Sequence, residues 1–183
     1  MDPNGLLNFI GAAGKLKKVL RTGWVESSIP NSESVADHSF RVALIALALA
    51  DLKHLDSLKA VRMALLHDLA EAEIGDMTPK QKDKDPVGFK HAEDAAMERL
   101  LENLPWGIQG GFRAAWQEFF DTSTDEARLV RDADKLEMLI QASEYQKDGG
   151  NKSSLMRFWH TEINGNEAKA IRDAVRAQNR DKI

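Results

Sequence analysis

Apolar residues recur along this chain at intervals of three and four, and no run alternates with period two over the length of a strand. A sequence patterned in this way buries its apolar side only by packing helix against helix, so the expected fold class is all-α. The first helix is expected over residues 6–20, with Leu6, Phe9, Ile10, Leu16, Val19 and Leu20 on its apolar side. Gly23 then supplies a stop, and Lys17, Lys18 and Arg21 suit a helix C-terminus. Ser34 reopens helix, because Ser34–Val35–Ala36–Asp37 has capping-box spacing with Asp in the reciprocal place, and that helix reaches about residue 52. A third is expected over 57–74, before a loop marked by Gly75 and Thr78–Pro79. Further helices are expected over 87–104, over 112–120 after a Gly110–Gly111 break, and from a Ser123–Thr124–Asp125–Glu126 capping box to about 146. Weaker patterns cover 154–160 and 166–178, and the segment 83–86 reads as the most mobile.

A chain of 183 residues fits a single domain, expected over 1–183. It has no cysteine, so any metal must be held by nitrogen and oxygen ligands. No basic segment followed by a long apolar run opens the chain, and the longest apolar stretch, residues 42–50, falls short of the roughly 20 residues that span a bilayer. A cytoplasmic protein without membrane contact is expected. The formal net charge of −4 argues against a nucleic-acid polymer as partner but is compatible with a small phosphate-bearing ligand.

Four polar residues interrupt apolar helix stripes. Asp68 lies in line with Val61, Leu65 and Ala72, His67 with Met63, Ala70 and Ile74, Asp134 with Val130 and Met138, and His38 with Val42 and Ile45. An unpaired carboxylate buried in such a stripe is costly, so Asp68 and Asp134 must be paired or coordinate a metal. Inward-projecting ligands from facing helices are how helical proteins build metal sites. Each residue alone also has an ordinary account: a hydrogen-bonded core histidine for His38, or an ion pair with Arg41 or Arg131 for the acids. Glu71 shares a helix face with His67, four residues away, where a carboxylate can orient a water or take its proton. Equally, it fits a solvated acid before a loop. The aromatic-rich segment holding Trp106, Phe112, Trp116, Phe119 and Phe120 fits core packing or a contact between copies.

Ser34–Val35–Ala36–Asp37–His38, His67–Asp68, Glu71, Gly75–Asp76 and Asp134 follow in order the H…HD…D pattern of the HD superfamily of phosphohydrolases. The series is similar to its 5′-deoxynucleotidase branch, and Arg21–Thr22–Gly23–Trp24 and Gln141–Ala142–Ser143–Glu144–Tyr145 look like the eukaryotic and archaeal members. The resemblance runs over about residues 15–159. It implies a helical HD bundle with a metal site in its core, one divalent ion (Mn, Co, Fe, Zn or Mg), and hydrolysis of a small nucleotide phosphomonoester. By the same resemblance His38, His67, Asp68 and Asp134 hold the metal and Glu71 is the catalytic acid or base. Asp76 is an acid near the sugar that favours deoxyribose, Arg21 and Trp24 contact substrate, and the protein is a homodimer. In the bacterial relatives the Arg and Trp are adjacent, whereas Thr22 and Gly23 separate them here. Gly23 followed by Trp24 also fits a helix C-cap with its hydrophobic contact, with Arg21 merely complementing the helix dipole. Cyclic nucleotides, triphosphates or an alarmone are rival substrates, and a non-catalytic nucleotide sensor or a purely structural helical protein are rival functions.

Overall fold

The computed structural model describes residues 2–179. Residues 1 and 180–183 of the expected domain lie outside the described residues. The described chain is all-α: α1 (Pro3–Leu16), α2 (Thr22–Glu26), α3 (Val35–Leu52), α4 (Ser57–Leu66), α5 (Glu71–Ile74), α6 (Pro79–Lys82), α7 (Pro86–Glu102), α8 (Trp106–Asp121), α9 (Asp125–Lys147), α10 (Lys152–Trp159) and α11 (Asn166–Gln178). Among the described residues the sole extended pairing is an isolated bridge between Leu20 and Ser34.

That bridge explains the first difference from expectation. The helix expected over 6–20 instead begins at Pro3, where the Asp2 side chain accepts from the backbone N–H groups of Asn4 and Gly5. It stops at Leu16 because residues 19–21 are drawn into extended pairing, with Val35 N–H on Val19 O at 2.8 Å and Arg21 N–H on Glu33 O at 3.0 Å. Gly23 is therefore no C-cap of α1; it lies inside α2, where an added Cβ would meet the Phe158 ring at 3.3 Å. Arg21 sits at the start of α2, not in the last turn of α1.

The second difference places the chemistry. Residues 57–74 form two helices, not one, and His67–Asp68 falls in the break. His67 N–H still reaches Met63 O, but the N–H groups of Leu69, Glu71, Ala72 and Glu73 reach only three residues back. Leu69 and Ala70 are buried within this tightened turn and hold it against the core.

Other ends shift by local chemistry. Ser34 and Asp37 form the expected capping box on α3. Thr124, one residue later than expected, caps α9 by accepting from Ala127 N–H, while Glu126 accepts from Asp56 N–H instead. Gly110–Gly111 does not break the chain but lies within α8, and Asp85 caps α7 through Gly88 N–H. α10 starts two residues early, at an Asn151 cap.

α3 and α9 form the centre, α4 lies against both, α8 packs on α4 and α9, and α10 and α11 dock on α9. Val42, Ala46 and Ala50 of α3, Ala60, Met63 and Ala64 of α4, and Val130, Ala133 and Leu136 of α9 are fully buried. Alanine between the larger side chains lets the helices approach closely, and each buried Val, Met or Leu contributes about 1.5–3 kcal/mol. A smaller apolar cluster of Trp24, Ile29, Ala142 and Leu155 ties α2 to α9 and α10. The aromatic segment divides: Trp116 and Phe119 are core, whereas Trp106 is 89% exposed.

Candidate metal centre

Three elements converge on one point. The first turn of α3 supplies His38, the break after α4 supplies His67 and Asp68, and the middle of α9 supplies Asp134. Asp134 Oδ1 lies 3.2 Å from His38 Nε2, and Asp68 Oδ2 lies 3.2 Å from His67 Nε2 and 3.7 Å from His38 Nε2. Ligand atoms of His38, His67 and Asp134 lie within 4.8 Å of one another. Neither acid pairs with Arg41 or Arg131: Arg41 binds Glu137 and Glu144, and Arg131 binds Thr122 and the Phe120 carbonyl. Asp134 and Met138 line the cavity in front of α9, whereas Val130 of the same expected stripe is core.

The two imidazoles are held with one nitrogen inward. His67 Nδ1 lies 2.7 Å from Ala64 O, and His38 Nδ1 lies 2.5 Å from Glu137 Oε2. In the neutral ring an Nδ1–H donated to each partner leaves Nε2 carrying the lone pair. Both Nε2 atoms are buried and make no hydrogen bond, although carboxylate oxygens stand close by. Two orphaned nitrogens and two carboxylates facing one point fit a divalent cation, and that donor set suits several first-row metals and Mg²⁺ without selecting among them. Separations of 3.2–3.7 Å match the edges of a coordination polyhedron with bonds of about 2.0–2.2 Å.

The protonation states are set by this crowding. Burial disfavours charged His38, but the Asp134 and Glu137 carboxylates more than offset it and raise its pKa to about 9. Burial likewise opposes the ionised form of Asp68, yet His67, Arg21 and His38 hold it well below the usual carboxylate range. Asp134 is lowered in the same way by His38 and His67. Glu71 goes the other way. It is 3% exposed at the first position of α5, and burial together with the Asp68 and Asp76 carboxylates pushes it well above the ordinary range. Its Oε2 is buried with no hydrogen-bond partner, as suits a carboxylic acid holding a proton for transfer.

Arg21 enters from the other wall. Its Nη1 donates to Asp68 Oδ2 at 3.1 Å and Asp76 Oδ1 at 3.3 Å. Asp76 also accepts from Thr22 N–H at 2.5 Å, while its carbonyl accepts from the Thr22 hydroxyl at 2.8 Å. The Gly75–Asp76 turn is thereby clasped to the start of α2. Trp24 is 1% exposed, donates from Nε1 to Glu33 Oε1 at 2.8 Å, and stacks near Phe158 and Tyr145. Arg21, Asp76, Trp24 and Phe158 line a cavity of about 610 Å³ together with Asp68, Glu71 and Asp134.

Sequence reasoning missed the layer behind the ligands. Glu137 is fully buried between His38 and Arg41, and Arg41 Nε donates to it at 2.9 Å. Glu33, pushed up to about 7 by burial and by the Glu137 carboxylate, completes the group, and its own N–H donates to the Tyr145 hydroxyl at 2.7 Å. Glu137 carried a usable signal, being an acid one turn after Asp134 within an apolar run. Lys82, at the end of α6, carried none; its Nζ lies 3.9 Å from Glu71 Oε1.

Comparison with known proteins agrees with this geometry. A family model described as "HD domain" matches residues 13–177. The chain is 40% identical to "5′-deoxynucleotidase HDDC2" of Bos taurus over 84% of this chain and 74% of that protein. It is 35% identical to "5′-deoxynucleotidase YGK1" of Saccharomyces cerevisiae over 85% of this chain and 74% of that one. A solved structure, "Conserved hypothetical protein from Pyrococcus furiosus", superposes with a TM-score of 0.76 at 37% identity, covering 93% of this chain and 99% of that one. With a family match that spans nearly the whole chain, and with His38 of α3, His67–Asp68 of the turn after α4 and Asp134 of α9 facing one point, the protein belongs to the HD-domain family.

Proposed function

We propose that the protein is a divalent-metal-dependent 5′-deoxynucleotidase, a single HD domain that hydrolyses deoxyribonucleoside 5′-monophosphates to deoxynucleoside and phosphate. The observation that carries this reading is the pair of buried, unbonded Nε2 atoms facing two carboxylates, with the buried Glu71, its pKa pushed up by burial and by Asp68, beside them. Relatives named for that activity add to it.

His38, His67, Asp68 and Asp134 would hold the ion, which when bound supplies Lewis acidity and positive charge against the phosphoryl group. Water attacks phosphorus, the bond from phosphorus to the 5′-oxygen breaks, and Glu71 delivers its proton to that oxygen; a proton of the attacking water restores Glu71. Arg21, braced by Asp68 and Asp76, offsets charge on the non-bridging oxygens. Trp24 backs the cavity wall that receives the substrate. Asp76 stands against the sugar with both carboxylate oxygens already engaged by Arg21 and Thr22, so a 2′-hydroxyl brought there loses its water without gaining an acceptor. That favours deoxyribose.

A small-molecule nucleotide, not a nucleic-acid polymer, is the partner, in keeping with a site at the floor of a cavity and a net charge of −4. No helix among the described residues is long and apolar enough to cross a membrane, and we place the protein in the cytoplasm with its substrate. We also read it as a homodimer through α3 and α4, where Phe40, Leu44, Leu58 and Leu65 are all more than half exposed. Light scattering on the purified protein, and on a Leu44→Lys variant expected to be monomeric, checks this; a monomeric parent overturns it.

The activity is tested by phosphate release from matched 5′-deoxyribo- and ribonucleotides, after EDTA and after adding back Mn²⁺, Co²⁺ or Mg²⁺. Metal-dependent release that favours deoxyribonucleotides and is abolished in Asp68→Ala supports the reading. Silence on monophosphates from protein carrying stoichiometric metal overturns it.

A further inference from the structure

The charges that face the cavity do not suit a phosphate dianion unless one more cation takes part. Asp68, Asp134, Asp76 and Glu71 all stand at its floor or wall, and Arg21 is the cation hydrogen-bonded among them, with Arg157, Lys82 and the exposed Lys80 also on the lining. Even with a divalent ion bound, Arg21 leaves this group of acids with no surplus of positive charge, so an arriving phosphomonoester brings two negative charges into a site that does not offset them. Arg21 is moreover partly engaged, its Nη1 shared between Asp68 and Asp76. Arg157 at the rim is engaged too, donating to Gly23 O at 2.6 Å and to the Ser27 hydroxyl at 3.2 Å.

Lys82 differs from both. It lines the same cavity, at the end of α6, and its Nζ lies 3.9 Å from Glu71 Oε1. It makes no closer ion pair and no hydrogen bond among the described residues, so its three N–H donors are uncommitted. The ammonium is nevertheless placed, since it rests 4.5 Å from the centroid of the Phe89 ring. Its side chain is 32% exposed, which puts it where ligand enters and within reach of the residue that handles the proton.

We propose that Lys82 binds the substrate's phosphate, supplying from α6 the second fixed cation of the site. It grips the phosphoryl oxygens from the Glu71 side while Arg21 acts from the α2 side, so the phosphate is held between two elements far apart in sequence. The assignment rests on the phosphomonoesterase reading for the identity of the substrate, but not for the binding of the anion.

The test uses metal-loaded protein and orthophosphate as the probe, titrated calorimetrically and as a competitive inhibitor, for the parent, Lys82→Met and Lys82→Arg. Lys82→Met is expected to weaken orthophosphate binding about tenfold or more, the loss of one charge-assisted hydrogen bond, and to raise KM more than it lowers kcat. Lys82→Arg is expected to recover most of the affinity, and metal affinity is expected to stay within twofold throughout. Orthophosphate affinity unchanged within twofold in Lys82→Met overturns the proposal, as does a change confined to the pH dependence of activity, which would make Lys82 only a tuner of Glu71. A parent that binds orthophosphate but cleaves no nucleotide defeats the substrate reading and leaves the Lys82 comparison decisive.

Discussion

His38 joins two kinds of chemistry in one ring. Its Nε2 faces the metal point and its Nδ1 is bound to the fully buried Glu137. A carboxylate behind a metal-bound imidazole fixes its tautomer and raises its basicity. Glu137→Gln, which keeps an acceptor but removes the charge, is therefore expected to weaken metal binding by about 10–100-fold, measured by chelator competition. The pH dependence follows from the same ring. In the metal-free protein His38 titrates at about 9, above its ordinary value, so below that pH a cation must displace a proton from it. Metal affinity should rise by up to about tenfold per pH unit towards 9 and then level off. For the metal-free fold the sign is opposite: the stability His38 contributes is complete below its ordinary pKa and is lost as pH rises through about 9. A metal affinity flat between pH 6 and 9 would contradict this account of His38.

At the scale of elements, the Gly75–Asp76 turn is where backbone conformation and site meet. Gly75 has φ 78° and ψ 161°, a region nearly closed to other residues, and an added Cβ would meet nothing within 4 Å. Gly75→Ala should thus lose about 1–3 kcal/mol through the backbone alone, read as a lower Tm, and should loosen the clasp of Asp76 on Thr22. The elements also mark what the sequence could and could not tell. Helical periodicity made the all-α class and the span of α11 legible, as capping-box spacing did the Ser34 cap, because those signals are local. His38, His67, Asp68 and Asp134 stood out because each is polar within an apolar stripe. The break at His67 was hidden, since residues 57–74 have unbroken helical pattern and only the burial of Leu69 and Ala70 tightens the turn. Gly23 and Gly110–Gly111 misled in the opposite sense, being glycines that tertiary packing keeps helical. Glu137 was legible only as an acid one turn after Asp134 in an apolar run, and its closure between Arg41 and His38 was not.

Across the whole molecule the metal point is a junction. The residues proposed as its ligands come from α3, from the break between α4 and α5, and from α9, the same elements whose packing forms the centre of the core. An ion held there links them in the folded state and has no equivalent site in the unfolded chain. Stripping with EDTA should lower Tm, and adding back metal at about a thousand times its Kd should restore about 4 kcal/mol. A Tm indifferent to metal would mean that the ligands do not act together. The tightened turn at residues 67–70 carries a last consequence, for which changes of length the chain can survive. Each residue added to a helix rotates everything beyond it by about 100°. One residue inserted between His67 and Glu71 would swing the acid away from the ligands without disturbing a single core contact of α4. Insertions near Lys84 or Asp148, in exposed connections between helices, would leave that alignment alone. Length variation should therefore be tolerated at those connections and forbidden across this one turn.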